Sequence, residues 1–414
     1  MLTKEQNELL TRVGPGTPCG ELLRRYWQPV AAAAELTEEK PMKRVRLLGE
    51  DLVLFRDKKG QYGLLGEHCS HRGTSLYYGF LEEEGVRCPY HGWLYDASGT
   101  CIQQPFEPAQ SLMRYTLRHP AYPVEKLAGV LFAYLGPPDL KPLLPRWDIL
   151  TWENGCRLVE IRPMLNANWL QAEENTADVT HTFFLHAYSF KKKGRPEQGG
   201  GFGRPFVNYG FQPFEWGLLK SWLYEGPKGG AGWGNLLVFP NMLRLSGAMH
   251  WRVPIDDEHT RIFRVEFRPL RDGETTTPLD DVPVTYDASW MNEDGEYHMN
   301  SFPAQDGMAW ETQGAIFDRT TEHLGASDNG IVLLRQMLFQ AIESVQKGDD
   351  PQGIVRDASR NTKIDLESWL AERDYAAGTM NGGVVIDRRG REAVFDDRHT
   401  VVEIPADSIP RLGV

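Results

Sequence analysis

Two short matched segments constrain this chain more than any other feature: Cys69-Ser70-His71 and Cys88-Pro89-Tyr90-His91, separated by sixteen residues. Each supplies one thiol and one imidazole, and each is followed by a glycine, Gly73 or Gly92, that permits a tight turn. One ligand of each kind per loop suits a two-iron unit gripped from both sides. In a [2Fe-2S] cluster held this way, Cys69 and Cys88 take one iron and His71 and His91 the other. Neutral rings in place of two anionic thiolates lower the negative charge and raise the potential. A structural zinc ion is the competing reading, although zinc sites of this composition usually draw both cysteines from one hairpin and both histidines from a helix. His68 reads as structural. Cys19, Cys101 and Cys156 stand at no metal spacing and read as buried or idle thiols. An odd, sparse set of cysteines is no disulfide framework and fits a reducing, cytoplasmic setting.

A second constellation follows. In the segment from Asn166 to His186, Asn175, Asp178 and His181 are spaced by three, which predicts one face of a helix running from Asn168 to about Thr180. His186 lies five residues past His181. That spacing diverges on an ideal helix, so the helix must end or bulge there if both rings are to reach one ion. Two imidazoles and a carboxylate on one side of an iron ion leave positions open for O2 and water. Asp306 is the preferred carboxylate. Asp318, Asp328 and Asp294 are the rivals, the first two looking more like helix caps or salt-bridged positions.

The rest of the chain supplies a frame. Between Trp27 and about Leu135, runs such as Val45–Leu48 and Leu52–Phe55 alternate with turn signals, the spacing of an all-β domain. Before it, residues 1–26 read as a helical segment broken at Gly14–Pro18. After a Pro-rich stretch to Pro145, strand-like runs (Leu218–Leu223, Arg261–Phe267) and an amphipathic helix over Gly330–Gln346 predict a larger α+β domain, ending in strand-like pieces at Val384–Ile386 and Val401–Ile404. The expected domains are therefore 27–148 and 149–414. A formal net charge of -12 argues against a nucleic-acid partner. No apolar run is long enough to span a membrane, and the residues from Met1 to Glu8 lack a signal-peptide pattern.

Taken together, Cys69-x-His71…Cys88-x2-His91 and Asp178-x2-His181-x4-His186 resemble the Rieske non-haem iron oxygenase α-subunits, and the likeness spans nearly the whole chain. Thr11–Pro18, Arg24–Trp27 and Gln305–Gly314, followed by Asp318-Arg319-Thr320 and Glu322–Gly325, are similar to the phthalate-dioxygenase-like subgroup. The resemblance implies a Rieske domain followed by a helix-grip (START-like) catalytic domain with an antiparallel sheet, and Asp306 as third iron ligand. It also implies a homotrimer in which Asp178 links His91 of one subunit to His181 of the next. The implied activity is oxidation of an aromatic substrate, an aromatic carboxylate, by ring hydroxylation with O2. O-demethylation of a methoxylated aromatic acid uses the same ligands. Asp178 and Asn175 are the expected catalytic residues beside the iron. No dinucleotide, flavin or plant-type ferredoxin motif is present in the sequence, so electrons are expected from a separate NAD(P)H-dependent reductase, with or without a ferredoxin. Arg244 and Arg252, in a strand-rich stretch, are candidates for pairing a substrate carboxylate. A Rieske electron carrier without catalysis is the reading from a different class; it leaves His181 and His186 unexplained.

Overall fold

The computed structural model describes residues 1–366 apart from 109, 205, 225–230 and 246, and beyond them four short strands, Met380–Asn381, Val384–Ile386, Glu392–Ala393 and Thr400–Glu403. Ile404, the end of the last expected strand, lies outside the described residues.

The alternating runs after Trp27 form three small antiparallel sheets. One contains Met42–Leu47, Glu50–Arg56, Tyr62–Gly66 and Ala121–Tyr122; the second contains Phe80–Glu82, Gly85–Arg87, Leu94–Tyr95 and Cys101–Gln103. Between them Val53, Phe55, Leu65, Leu76, Val86, Trp93 and Tyr95 are buried in a core that also holds Cys69 and Cys88. The third sheet, Gln28–Ala32, Val130–Ala133 and Val124–Leu127, joins a different core. Its Phe132 meets Trp251 edge to face, ring centroids 5.7 Å apart.

The larger unit is built on a nine-stranded sheet whose pairings are antiparallel except that of Gly155–Ile161 with Val284–Tyr286. The predicted long helix appears as Asn329–Gln346, burying Leu334, Leu338 and Ile342. Pleating sorts the side chains of Ala248–Pro254. Met249, Trp251 and Val253 turn to the large core shared with the third small sheet. His250 and Arg252 turn the other way, toward the helix Trp169–Thr176, where Arg252 meets Glu173. This second, inner face carries the site described below.

The N-terminal helices, Lys4–Thr11 and Pro18–Arg24, begin at Thr3 and Thr17, whose side chains accept from Gln6 N and Gly20 N. They dock on the larger unit: Asn168 Nδ2 donates to the Thr11 carbonyl at 2.9 Å and Asn7 Nδ2 to the Phe317 carbonyl at 3.1 Å. No helix among the described residues is long and apolar enough to cross a membrane.

Candidate metal centres

The two Cys–His loops are built alike. Cys69 N donates to the Thr74 carbonyl at 2.9 Å and Gly73 N to the Cys69 carbonyl at 2.8 Å; in the second loop Cys88 N donates to Trp93 O at 2.8 Å and Gly92 N to Cys88 O at 3.1 Å. Both turns require the left-handed backbone of Gly73 (φ +76) and Gly92 (φ +73), a conformation that disfavours other residues. The loops bring His71 and His91 together, ring centroids 4.5 Å apart, and stack His71 on Trp93 at 4.4 Å. Cys69 and Cys88 are buried, and burial pushes the Cys88 thiol up; a cation there would favour the thiolate. His71 Nδ1 is buried without a hydrogen-bond partner. A buried ring nitrogen left unmet, beside two buried sulfurs, fits a cluster ligand. Sequence reasoning missed Tyr95, whose hydroxyl lies 3.2 Å from Cys69 Sγ. The two lie 26 residues apart, so only the folded chain shows this contact. Cys19, Cys101 and Cys156 are free; Cys101 is packed in the all-β core.

The second constellation departs from the expected single helix. The helix Trp169–Thr176 ends at Ala177, and a π-helix spans Thr182–Tyr188. The break is made by Asp178. Its Oδ1 accepts from Thr180 N at 2.7 Å and Thr180 Oγ1 at 2.9 Å, which starts a new turn. The five-residue hydrogen bonding of a π-helix carries His186 to the side on which His181 stands, as the spacing required. Asn175 therefore does not share one helix face with Asp178 and His181. It is half-buried, with its carbonyl accepting from Asp178 N at 3.1 Å.

Ligand atoms of His181, His186 and Asp306 all lie within 4.8 Å of one another. Asp306 sits one turn into the helix Phe302–Glu311, which Ser301 caps by accepting from Ala304 N. Its Oδ1 stands 3.4 Å from His186 Nε2 and is buried with no hydrogen-bond partner. The rivals are otherwise engaged. Asp318 accepts from Thr320 N and Oγ1, Asp328 accepts from Gly325 N ahead of the long helix, and Asp294 is exposed in a turn.

Partners behind the rings orient them. Asp178 Oδ2 lies 3.1 Å from His181 Nδ1. Burial works to raise the Asp178 carboxyl, but His181, the Thr180 hydrogen bond and Lys220 outweigh it and hold it at about 2. Gln305 Oε1 lies 2.8 Å from His186 Nδ1, while Gln305 Nε2 donates to the Met299 carbonyl at 3.2 Å. The Gln305 oxygen only accepts, so Nδ1 carries the proton and Nε2 presents its lone pair toward Asp306. Burial pulls His186 below its ordinary value, favouring the neutral ring that binds metal. Gln305 was not assigned from sequence; its only signal was adjacency to Asp306.

The two arginines do not form a clamp. Arg244 stands opposite Met249 in the sheet, so it shares the outer face and spends its guanidinium on Asp148, with Nη2 to Oδ2 3.2 Å. Arg252 lies on the inner face, 3.8 Å from Glu173. Residues on opposite faces of a pleated sheet cannot grip one carboxylate, which corrects the sequence expectation for Arg244 and for the pair.

Residues 26–123 match the family described as Rieske [2Fe-2S] domain, and residues 248–371 the family described as LigXa C-terminal domain like. The chain is 40% identical over 397 residues to the 5,5'-dehydrodivanillate O-demethylase oxygenase subunit of Sphingobium sp., covering 92% of each. It is 40% identical to the phenoxybenzoate dioxygenase subunit alpha of Ectopseudomonas oleovorans, covering 83% of this chain and 87% of that one. It is 32% identical to the phthalate 4,5-dioxygenase oxygenase subunit of Pseudomonas putida, covering 91% and 95%. Among solved structures, NdmA of Pseudomonas putida CBB5, as a mutant with caffeine, shares the fold at a TM-score of 0.58 and 20% identity, covering 79% of this chain and 93% of that one. With relatives of this identity over nearly the full length, the chain belongs to the Rieske non-haem iron oxygenases, as a terminal oxygenase subunit that works with a [2Fe-2S] cluster, a mononuclear iron and O2.

Proposed function

We propose that Cys69 and Cys88 hold one iron of the cluster, His71 and His91 the other, and that His181, His186 and Asp306 hold the mononuclear iron. The observation that carries the second assignment is the convergence of three ligand atoms within 4.8 Å around an Asp306 oxygen that no protein group meets. Bound there, iron supplies O2 activation through its open positions. The chain's own residues prepare it: Gln305 and Asp178 fix the ring tautomers of His186 and His181, and Phe302 packs edge to face on His186, ring centroids 4.8 Å apart.

The substrate in this proposal is an aromatic carboxylate, oxidised by ring hydroxylation; phenoxybenzoate and phthalate dioxygenase subunits among the relatives support it. O-demethylation of a methoxylated aromatic acid is a second reading, favoured by the O-demethylase relative that aligns over 92% of both chains. Electrons come from a separate NAD(P)H-dependent reductase, directly or through a ferredoxin; a structural neighbour of TM-score 0.55 forms a ferredoxin complex.

The working assembly is a homotrimer in which Asp178 bridges His181 to His91 of the partner subunit. Exposed apolar side chains on the all-β unit support such contact: Tyr78, Phe80, Tyr90, Phe106, Leu112 and Tyr115 are each more than half exposed. Metal analysis, light scattering and O2 uptake with a reductase across a panel of aromatic acids test the proposal together. Three irons per chain, a trimer and a hydroxylated product support it; formaldehyde release selects demethylation; a colourless monomer that consumes no O2 refutes it.

A further inference from the structure

The inner face of the nine-stranded sheet carries a second polar cluster, beneath the helix Trp169–Thr176. Glu173 is fully buried, and Lys220, Arg252 and His250 are 2%, 2% and 4% exposed. Six of their atoms have no hydrogen-bond partner: both carboxylate oxygens of Glu173, both ring nitrogens of His250, and Nε and Nη1 of Arg252. Arg252 Nε and Glu173 Oε2 stand 3.8 Å apart, an ion pair too long for a hydrogen bond. Buried charged and polar groups are costly to leave unmet, and native proteins satisfy them with protein or with water. Water needs two to four polar partners, and these three side chains offer them.

The cluster has two ends. At one, Arg252 and Lys220 both face Asp306 electrostatically, and Lys220 Nζ donates to the Asp178 carbonyl at 2.9 Å. At the other, His250 stands opposite Arg264 in the sheet and faces the charges of Arg162 and Arg264. From there ion pairs lead outward. Arg162 Nε meets Glu160 at 3.1 Å, Arg264 Nη1 meets Glu160 at 2.9 Å and Glu266 at 2.7 Å, and the Glu266 side chain is 39% exposed. Buried polar and charged groups thus lie along the inner face between the Glu266 edge and the iron ligands.

We propose that Glu173, His250 and Arg252 line an internal water-filled path that brings protons from the Glu266 edge of the sheet to the mononuclear iron site, with Glu173 as the last protein group to hold the proton. The proposal rests on the oxygenase reading. Each O2 consumed takes two electrons from the redox partner and two protons from solvent, whether one oxygen atom enters the substrate and the other leaves as water or both enter the substrate as hydroxyls. Burial pushes Glu173 up to about 8, against the pull of Arg252 from the strand Ala248–Pro254, of Lys220 from Gly217–Tyr224 and of Thr176 on its own helix. A carboxyl in that range exchanges its proton near neutral pH.

Infrared spectroscopy of the resting full-length protein tests the path without turnover. A protonated-carboxyl band that shifts promptly in D2O and is missing in Glu173→Gln, with ordered waters joining Glu173, His250 and Arg252 in a high-resolution crystal structure, is the expected result. A dry space, or a band unshifted after prolonged D2O exposure, overturns the proposal, and both measurements need only the unaltered chain. In the loaded enzyme with its redox partner and an aromatic acid that it oxidises, Glu173→Gln should keep cluster reduction and iron content. It should also slow product formation on the order of 100-fold, enlarge the solvent isotope effect and divert O2 to peroxide, with Glu173→Asp recovering part of the rate. Equal rates and isotope effects overturn the relay alone. Absence of O2 uptake by the unaltered, fully loaded enzyme overturns the oxygenase reading and the relay with it.

Discussion

Replacing Gln305 by leucine isolates what one outer hydrogen bond does for the mononuclear site. Gln305 is fully buried, and its Oε1 lies 2.8 Å from His186 Nδ1. Leucine fills a similar volume and accepts nothing. The His186 ring then loses the bond that keeps the proton on Nδ1, and a buried N–H is left unmet. A net hydrogen bond contributes about 1 kcal/mol and an unmet buried donor costs about 1–3 kcal/mol. Both fall on the ligating tautomer, so its population drops by roughly 2 kcal/mol. At about 1.4 kcal/mol per factor of ten, iron affinity weakens on the order of 30-fold, inside the roughly 10–100-fold range for partners behind a metal ligand. Anaerobic Fe(II) titration of protein with an intact cluster but an empty mononuclear site measures this directly. The visible spectrum of the cluster should not change, since Gln305 belongs to the catalytic unit. Gln305→Glu keeps an acceptor and should bind at least as tightly as the parent. Parental affinity in the leucine variant refutes the assignment of Nδ1 as the protonated nitrogen.

Other substitutions probe separate parts of the construction. Asp178→Asn should leave cluster and iron content intact yet reduce turnover at least 100-fold, read by metal analysis beside single-turnover kinetics; unchanged turnover removes the bridging role. Gly307→Ala places a methyl 2.2 Å from Trp290 Cε3 and so pushes the helix bearing Asp306; a loss of about 1–3 kcal/mol in denaturant unfolding is expected, with lowered iron occupancy. Tyr95→Phe removes the hydroxyl beside Cys69 Sγ and should shift the cluster potential negative in a redox titration. Glu174→Gln leaves the buried Arg319 without a carboxylate, while Arg335, also paired with Glu174 at 2.7 Å, keeps Glu322, and should cost about 3–5 kcal/mol. Burial works to raise Glu174, but the two arginines win and lower it. Its stabilisation is therefore complete above the ordinary carboxylate range and lost as pH falls through the lower folded value, a loss that acid unfolding of the variant should lack.

What the sequence made legible depended on how far apart the cooperating residues stand along the chain. The Cys–His loops could be read because each closes on itself within six residues, with the turn glycine inside the motif. The break between His181 and His186 could be read too, because a five-residue spacing is inconsistent with an unbroken α-helix. Even there the cause lay out of sight: Asp178 looked like one more residue on a helix face, yet its hydrogen bonds to Thr180 end that helix. The arginines show the opposite limit. Arg244 and Arg252 are eight residues apart, which hides that the pairing of Leu245 with Ala248 puts them on neighbouring strands and on opposite faces.

The ligands of the site are visible in the sequence, and its outer layers are not. A metal ligand must be one of a few residue types, so chemistry alone marks it. Gln305 and Lys220 are not ligand types, and Glu173 and His250 belong to no ligand motif, so each acquires meaning only from a partner in the folded chain: His186 lies 119 residues from Gln305, and Asp178 lies 42 from Lys220. Composition cannot flag a buried glutamate with two idle oxygens; only packing turns it into an unmet demand for hydrogen bonds. Ligands set which reaction the chain can perform, and these distant polar contacts set the tautomers and the buried polar surroundings the ligands work in. A variant that keeps every ligand and alters one outer contact is therefore the sharper probe of how this oxygenase works.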